Sequence, residues 1–311
     1  MKIKLLLLCL SLSFICLAQN DTTDISLSDK KDTEPTKVFY SQRLINANTV
    51  EVLSKGILEF RVMHNFWDIA GNEGGIKNFF GLDNAADAKI AFQLGLSNRF
   101  NILAARTKGN QGQTKLWELG LKYQFLQQMI NDSRHALSLT VFANVVAASD
   151  KKAAIAGQEN SYEDFGDRLN QLVQLMIAKK FGGVSLQLSP TYLHQGLVIP
   201  GADESIFAIG GGIRLPVTKK FSIISDYFHP FLSSDHRQAY RNRGLEMYDA
   251  FSVGFEVLTW GHVFHLNFTN TTEILENKFL PRTWRTWSKG QFRWAFIIER
   301  KFTLFREKNK Q

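Results

Sequence analysis

The chain has 311 residues, enough for one large domain or two small ones, and 44% of them are hydrophobic. After residue 18, no segment holds the ~18 continuous apolar residues of a membrane-spanning helix, which excludes a helical membrane protein. The net charge of +8 is not gathered into basic clusters with interleaved aromatic residues, so nucleic acid is not an expected partner.

Residues 1–18 have the three parts of a secretory signal peptide. Two lysines give the charged start, an apolar run follows, and Cys16-Leu17-Ala18 forms a small-x-small cleavage site. A transmembrane anchor is the alternative interpretation, but the apolar run is too short for one. Cys9 and Cys16 are the only cysteines, so we expect the mature chain to have no disulfide and no thiolate metal site.

Two segments precede the predicted strands. Residues 19–37 are rich in Asp, Thr, Ser and Lys and have little to bury, so we expect a disordered periplasmic linker. Residues 38–55 hold more apolar side chains, among them Phe39 and Leu44. We expect them to form a short, ordered pre-barrel segment that can tuck into the barrel mouth.

From residue 56 onward, apolar and polar residues alternate in segments of about ten residues. The run Val184-Ser-Leu-Gln-Leu-Ser-Pro-Thr-Tyr192 is typical, and it predicts a strand with one apolar and one polar face. About twelve strands are predicted, at 56–65, 88–97, 100–107, 115–125, 136–147, 169–179, 184–194, 205–215, 221–228, 250–258, 262–270 and 291–302.

Connection length also alternates. Long polar loops at 67–87, 148–168, 229–249 and 271–290 follow odd-numbered strands, and shorter turns follow even-numbered ones. This pattern, with aromatic residues at both ends of the strands, is typical of an outer-membrane barrel. We therefore predict an all-β fold, a transmembrane antiparallel up-and-down β-barrel over residues 56–305, in the outer membrane of a Gram-negative cell.

A short basic tail, 306–311, follows the predicted barrel. A soluble sandwich or closed barrel is the alternative fold, since such folds also alternate apolar and polar residues. It leaves the alternation of loop length unexplained.

Several segments resemble a family of exported outer-membrane β-barrel proteins of unknown function. They are Arg43-Leu-Ile-Asn46, Val50-Glu51, Gly56-Ile-Leu-Glu-Phe60, Phe80-Gly-Leu-Asp83 and Gly261-His-Val-Phe-His-Leu-Asn-Phe-Thr-Asn270. The resemblance spans roughly residues 39–305 and implies an outer-membrane barrel. It brings no established substrate. Many barrels end at their last aromatic residue, whereas residues 306–311 follow Phe305 here.

Strand parity assigns one face of each strand to the lumen. The polar candidates on that face are Glu59, Arg61, Lys89, Glu118, Lys122, Arg214, Asp226, Glu256, His265, Asn267, Arg293 and Glu299. Acids and bases are balanced, whereas an ion-selective pore usually has one dominant sign. Two interpretations remain open. Either charge pairs across a narrow lumen fill it, with residues 38–55 against them, or patches of each sign line a small water path.

Few residues are candidates for chemistry. His262 and His265 are three apart on one strand and point to opposite faces. His229, Asp235 and His236 share an outer loop, where histidines are more often solvated than metal-bound. No motif marks a catalytic nucleophile, so we predict no enzyme, no catalytic residue, no metal and no cofactor.

The predicted function is a narrow channel or transporter for a small solute or ion. One alternative is a non-conducting structural or partner-binding barrel with a charge-filled lumen, and another is an outer-membrane hydrolase. The expected partners are outer-membrane lipid, the barrel-assembly machinery and a periplasmic protein.

Overall fold

Alternating apolar and polar residues form twelve strands. A computed structural model describes residues 34–109 and 111–305. The strands are β1 (Ile57–Asp68), β2 (Ala85–Gly95), β3 (Phe100–Lys108), β4 (Lys115–Leu126), β5 (Ser138–Ala148), β6 (Leu169–Phe181), β7 (Val184–Gln195), β8 (Ser205–Pro216), β9 (Phe221–Pro230), β10 (Ala250–Leu258), β11 (His262–Thr269) and β12 (Arg293–Thr303). Each predicted strand is present, with ends shifted by a few residues. The predicted signal peptide, linker residues 19–33 and the tail 306–311 lie outside the described residues.

The strands close into one antiparallel barrel. Each strand pairs with its neighbours in sequence, and β1 pairs with β12 to complete the ring. At this seam Arg61 lies opposite Glu299 and Phe60 opposite Arg300. Closure gives every strand two partners and leaves no open sheet edge. The predicted up-and-down barrel is thereby confirmed.

The exterior of the barrel is apolar. Leu119 is 69% exposed and Leu188 48% exposed, while their neighbours along the strand point inward. Apolar side chains that stay exposed in a continuous band need hydrocarbon around them. Among the described residues, no helix is both long and apolar enough to cross a membrane.

The connections carry two short α-helices, α1 (Ser234–Arg241) and α2 (Glu276–Phe279). Ser233 caps α1, since its side chain accepts a hydrogen bond from the backbone N–H of His236 at 3.0 Å. Short 3-10 segments lie at Ile76–Gly81, Ser133–His135, Gly166–Arg168 and Trp287–Lys289. β1 begins and β12 ends at the same end of the barrel as the short turns, which places that end in the periplasm.

Two segments fill the barrel interior. The first, here called the plug, is residues 38–53, which are almost entirely buried. The second, called the inward loop, is residues 270–284, which contain α2 and are buried throughout. The sequence predicted residues 271–290 to be an outer loop, because they form a long polar connection after an odd-numbered strand. They do join β11 to β12, but residues 270–284 fold into the barrel, where their charged side chains find partners, as described below.

An apolar core lies between the plug, the inward loop and the wall. It includes Phe39 and Leu44 of the plug, Phe228 of β9 and Phe279 of the inward loop. The rings of Phe228 and Phe279 meet edge to face, with centroids 5.3 Å apart. The barrel therefore has a packed interior in this state, as small barrels commonly do.

The last residues of the predicted disordered linker are ordered against a periplasmic turn. The backbone N–H of Thr36 donates to the carbonyl of Gln128 at 2.7 Å, and that of Ile130 donates to the carbonyl of Glu34 at 2.8 Å. The turn that holds them, between β4 and β5, is the longest of the periplasmic turns. These bonds fix the point at which the chain enters the barrel.

Candidate functional site: the occupied lumen

The plug has almost no regular secondary structure, so its backbone polar groups need partners from the wall. Asp226 of β9 supplies three of these bonds. One oxygen of its carboxylate accepts the backbone N–H groups of Ile45 at 3.0 Å, Asn46 at 2.7 Å and Ala47 at 2.9 Å. A carboxylate that caps successive N–H groups in this way makes strong, charge-assisted bonds. Asp226 is therefore the main anchor of the plug.

Side-chain amides of the wall hold other parts of the plug backbone. Gln187 of β7 accepts the N–H of Val50 at 3.0 Å and donates to the carbonyl of Asn48 at 2.6 Å. Asn101 of β3 accepts the N–H of Leu53 at 2.7 Å and donates to its carbonyl at 2.9 Å. Each amide uses its donor and its acceptor on one short stretch of chain, as a neighbouring strand would.

His265 of β11 connects the plug to a wall ion pair. Its Nδ1 donates to the carbonyl of Leu44 at 2.9 Å, and its Nε2 lies 3.6 Å from a carboxylate oxygen of Glu256. The other carboxylate oxygen of Glu256 accepts the Nε–H of Arg214 at 2.6 Å. These contacts link the backbone of the plug in turn to the imidazole of His265, the carboxylate of Glu256 and the guanidinium of Arg214.

The charged side chains of the wall pair mainly with one another. The pairs lie within one strand, between adjacent strands or between strands separated by one other, and their members are buried. The pairs are Arg61 with Glu59, Arg61 with Glu299 at 3.0 Å, Lys89 with Glu118 at 2.5 Å, Arg214 with Glu256 at 2.6 Å, and Arg293 with Asp68 at 2.5 Å. The pairs run along the wall and not across the lumen, because the plug and the inward loop occupy the centre.

All twelve residues that strand parity assigned to the lumen are buried in the barrel interior. Lys122 donates to the side-chain oxygen of Gln42 in the plug at 3.1 Å. Asn267 is fully buried, and its amide has no hydrogen-bond partner among the described residues. Gly254 on the neighbouring strand leaves room for it, since a Cβ there would lie 2.2 Å from the Asn267 oxygen.

The plug and the inward loop meet at Glu276. Its carboxylate lies 3.2 Å from Nη1 of Arg43 and accepts a hydrogen bond from the side-chain amide of Asn48 at 2.9 Å. Sequence analysis did not single out these three residues. They lie outside the strands, so no parity rule assigns them a face. The sole sequence signal is that Arg43 lies within one of the segments that carry the family resemblance.

The inward loop is also bound to the wall and to a second outer loop. The backbone N–H of Ile274 donates to Asp87 of β2 at 2.8 Å, and the amide of Asn277 donates to Asn144 of β5 at 3.2 Å. Arg282 pairs with Glu273 of the same loop at 2.9 Å and with Glu159 of the loop between β5 and β6.

The loop histidines do not form a metal centre with Asp235. His229 lies 2.9 Å from Asp249, whereas His236 is buried with both ring nitrogens engaged. Its Nδ1 accepts the backbone N–H of Asp203 at 3.0 Å, and its Nε2 donates to the carbonyl of Pro281 at 2.7 Å. Over residues 34–109 and 111–305, no group of three or more His, Cys, Asp or Glu side chains is placed to hold a metal ion.

The sequence model of the membrane bound beta barrel domain family (DUF5777) matches residues 39–302. Similar solved structures include an outer membrane channel from Pseudomonas putida F1, at 12% identity and a TM-score of 0.47, with 81% of this chain and 98% of that chain covered. The KdgM porin in complex with disordered oligogalacturonate has 10% identity and a TM-score of 0.46, covering 79% and 99% of the two chains. The NanC porin has 6% identity and a TM-score of 0.44, covering 79% and 100%. None of the curated proteins matches this chain.

Proposed function

This chain belongs to the DUF5777 family of membrane-bound β-barrel domains and spans the outer membrane through its barrel, and we propose that it is a channel for small polar solutes. In the state described here the channel is closed from both ends. The plug enters from the periplasmic end, and the inward loop enters from the outer end. Passage requires that both segments leave the centre of the lumen. The proposal is one of transport without catalysis.

The observation that carries the proposal is that charged side chains of the wall pair with one another and not with the plug. The ion pairs Lys89–Glu118 and Arg214–Glu256 join wall residues to one another. Withdrawal of the plug leaves these two wall pairs intact, so none of their four charges is stranded at a cost of several kcal/mol. The buried ion pair of the plug, Arg43 with Glu276 of the inward loop, must separate or move together with that loop. The wall exposed in this way presents these charge pairs to water, beside apolar side chains such as Phe228 and Met176.

The plug is also separable from the sheet. The barrel closes through β1 and β12 alone, and the plug contributes no strand to it. Its anchors are hydrogen bonds to side chains such as Asp226 and Gln187, which water can replace once the lumen opens. A segment held in this way can move without breaking the barrel.

Single-channel recording of the mature protein in a planar bilayer tests the proposal. We expect the native protein to be mostly closed, with brief discrete conductance steps. Asp226→Asn removes the charge that holds three plug N–H groups, so it should raise the fraction of time spent open. Asp150→Asn is the matched control, because Asp150 also caps backbone N–H groups, those of Thr114 and Lys115, but in an outer loop.

A reversible cross-link supplies the converse test. The side chains of Asn46 in the plug and Ser252 in β10 are 2.7 Å apart, so the double variant Asn46→Cys and Ser252→Cys should tether the plug when oxidised. Conductance should vanish on oxidation and return on reduction. If the native protein, Asp226→Asn and the reduced double variant are all folded yet silent, the barrel is non-conducting and the proposal is wrong.

A further inference from the structure

A cavity of about 550 Å³ opens at the outer mouth, above the inward loop. Its lining includes Gln111, Ile155, Asn160, Arg243 and Arg282. It is here called the outer vestibule. Its volume lies in the range of small-molecule sites, and its mixture of amides, arginines and aliphatic side chains offers both polar and apolar contacts. A solute approaching from outside reaches this cavity before the plug.

Glu159 and Arg282, which line the outer vestibule, belong to a cluster of cations around one carboxylate. Arg282 pairs with the carboxylate of Glu159, Nζ of Lys278 lies 3.6 Å from it, and the hydroxyl of Tyr240 lies 3.5 Å from its other oxygen. The two cations are buried, with side-chain exposures of 4% and 6%, whereas the Glu159 side chain is 18% exposed. Glu159 and Arg282 face the outer vestibule, and Lys278 and Tyr240 line a small neighbouring cavity that also touches Glu159 and Arg282.

The backbone around this site is shaped for the carboxylate. A Cβ on Gly112 would lie 2.0 Å from an oxygen of Glu159, and Gly112 has a φ of +63°. A side chain at position 112 would therefore both displace the carboxylate and adopt an unfavourable backbone conformation. In addition, Nε of Arg282 is buried without a hydrogen-bond partner among the described residues, which leaves a donor for a further oxygen atom.

The acid and the cations come from different parts of the chain. Lys278 and Arg282 belong to the inward loop, and Glu159 belongs to the loop between β5 and β6. Burial alone would raise the pKa of Glu159, but the charges of Arg282 and Lys278 outweigh it and lower that pKa. Glu159 thus remains ionised, and the loop between β5 and β6 supplies its carboxylate to the two cations of the inward loop.

We propose that the outer vestibule binds a small organic carboxylate, whose carboxylate group takes the place of that of Glu159 between Arg282 and Lys278. Exchange of one carboxylate for another keeps both buried cations paired, as burial requires. It also releases the inward loop from the loop that carries Glu159. The further consequence, that such carboxylates are the solutes admitted, rests on the proposed channel function, whereas binding itself does not.

Isothermal titration of the folded, detergent-solubilised mature protein tests the binding. The probe is gluconate, and sorbitol is the control solute of similar size without a carboxylate. The native protein should bind gluconate and not sorbitol. Glu159→Ala removes the competing carboxylate, so gluconate affinity should rise about tenfold or more, the factor expected for one charge-assisted contact.

Two further variants locate the effect. Glu163→Ala removes an acid of the same loop whose ion pair with Lys152 is largely exposed and away from the vestibule, so its gluconate affinity should equal that of the native protein. The double variant Glu159→Ala with Arg282→Gln should lose the gain. Each variant is checked for its folded barrel by heat-modifiable migration in gels.

The inference is overturned if Glu159→Ala binds gluconate no better than the native protein, or if sorbitol binds as well. Tighter binding of inorganic phosphate than of gluconate would also overturn it, since the site would then recognise a different anion. Because titration needs no conductance, a silent channel with gluconate binding would refute only the proposed function. Conductance without gluconate binding would refute only this inference.

Discussion

The guanidinium of Arg43 and the carboxylate of Glu276 lie 3.2 Å apart inside the barrel, and their side chains are 2% and 1% exposed. Arg43 belongs to the plug and Glu276 to the inward loop, so this pair joins the segments that close the two ends of the lumen. An ion pair buried to this degree is sensitive to the loss of either partner, because the remaining charge stays desolvated. The two closures are therefore energetically coupled.

Substitution of Glu276 by Gln should loosen the plug. It leaves Arg43 buried without a counter-charge, at a cost of about 3–5 kcal/mol. Limited trypsin digestion should then cut after Arg43, which is buried in the native barrel. The matched control is Glu246→Gln, which removes the partner of Arg241 in an exposed pair 4.0 Å apart and should change stability by less than about 1 kcal/mol. Unchanged protection of Arg43 in Glu276→Gln would contradict the coupling.

Weakening an ion pair of the wall should change the stability of the barrel but not the protection of the plug, and weakening an anchor of the plug should do the opposite. Glu118→Gln leaves Lys89 of the wall buried without its partner. It should lower the free energy of unfolding of the barrel by about 3–5 kcal/mol, which is measured as a lower urea midpoint. Hydrogen exchange at the amides of residues 45–47 should stay slow in this variant.

Asp226→Asn should do the reverse. The amides of residues 45–47 should exchange faster, because their shared acceptor loses its charge, while the urea midpoint of the barrel changes little. If both variants alter both readouts to the same extent, the plug and the wall form one cooperative unit, and the separability argued above is wrong.

The barrel could be predicted from sequence because a period of two residues is a local signal. β10 was predicted over 250–258 and is observed at Ala250–Leu258, since every residue of that run fits one parity. The register that brings Lys89 to Glu118 is different. It depends on how β2, β3 and β4 stagger around the barrel, which no single strand encodes.

The contents of the lumen could not be predicted for a related reason. Asp226 has the sequence pattern of any other lumen acid, yet its partners are backbone groups of residues 45–47, which lie 179 to 181 positions away. Likewise, Lys278 and Arg282 look like solvated loop charges. They are buried because Glu159 and Glu273 reach them, and only the folded chain brings those residues together.

The apolar exterior makes a direct prediction about assembly. Leu188→Arg places a charge on an outward position that is 48% exposed, which should cost about 2–4 kcal/mol near the middle of the bilayer. The fraction of protein that migrates as a folded, heat-modifiable barrel should fall accordingly. Phe165→Arg is the control, since Phe165 is 70% exposed in an outer loop beyond the strands. Normal assembly of Leu188→Arg would refute the assignment of β7 faces.

Acid should weaken the outer face of the protein through His236. Burial of its ring outweighs the raising effects of the Pro281 carbonyl and the Asp203 carboxylate, with Arg237 adding to burial, and lowers the pKa of His236 below its ordinary value of about 6.5. The folded state therefore favours the neutral ring, whose Nδ1 accepts a backbone N–H from Asp203. This contribution to stability is complete above the ordinary histidine pKa and is lost as the pH falls from there through the folded-state pKa.

The test compares thermal unfolding at pH 8 and pH 5 for the native protein and for His236→Gln. Glutamine can also accept the Asp203 N–H and donate to the Pro281 carbonyl, but it does not titrate. We expect the native protein to lose more stability on acidification than this variant loses. An identical acid response in the native protein and His236→Gln would show that other groups control it.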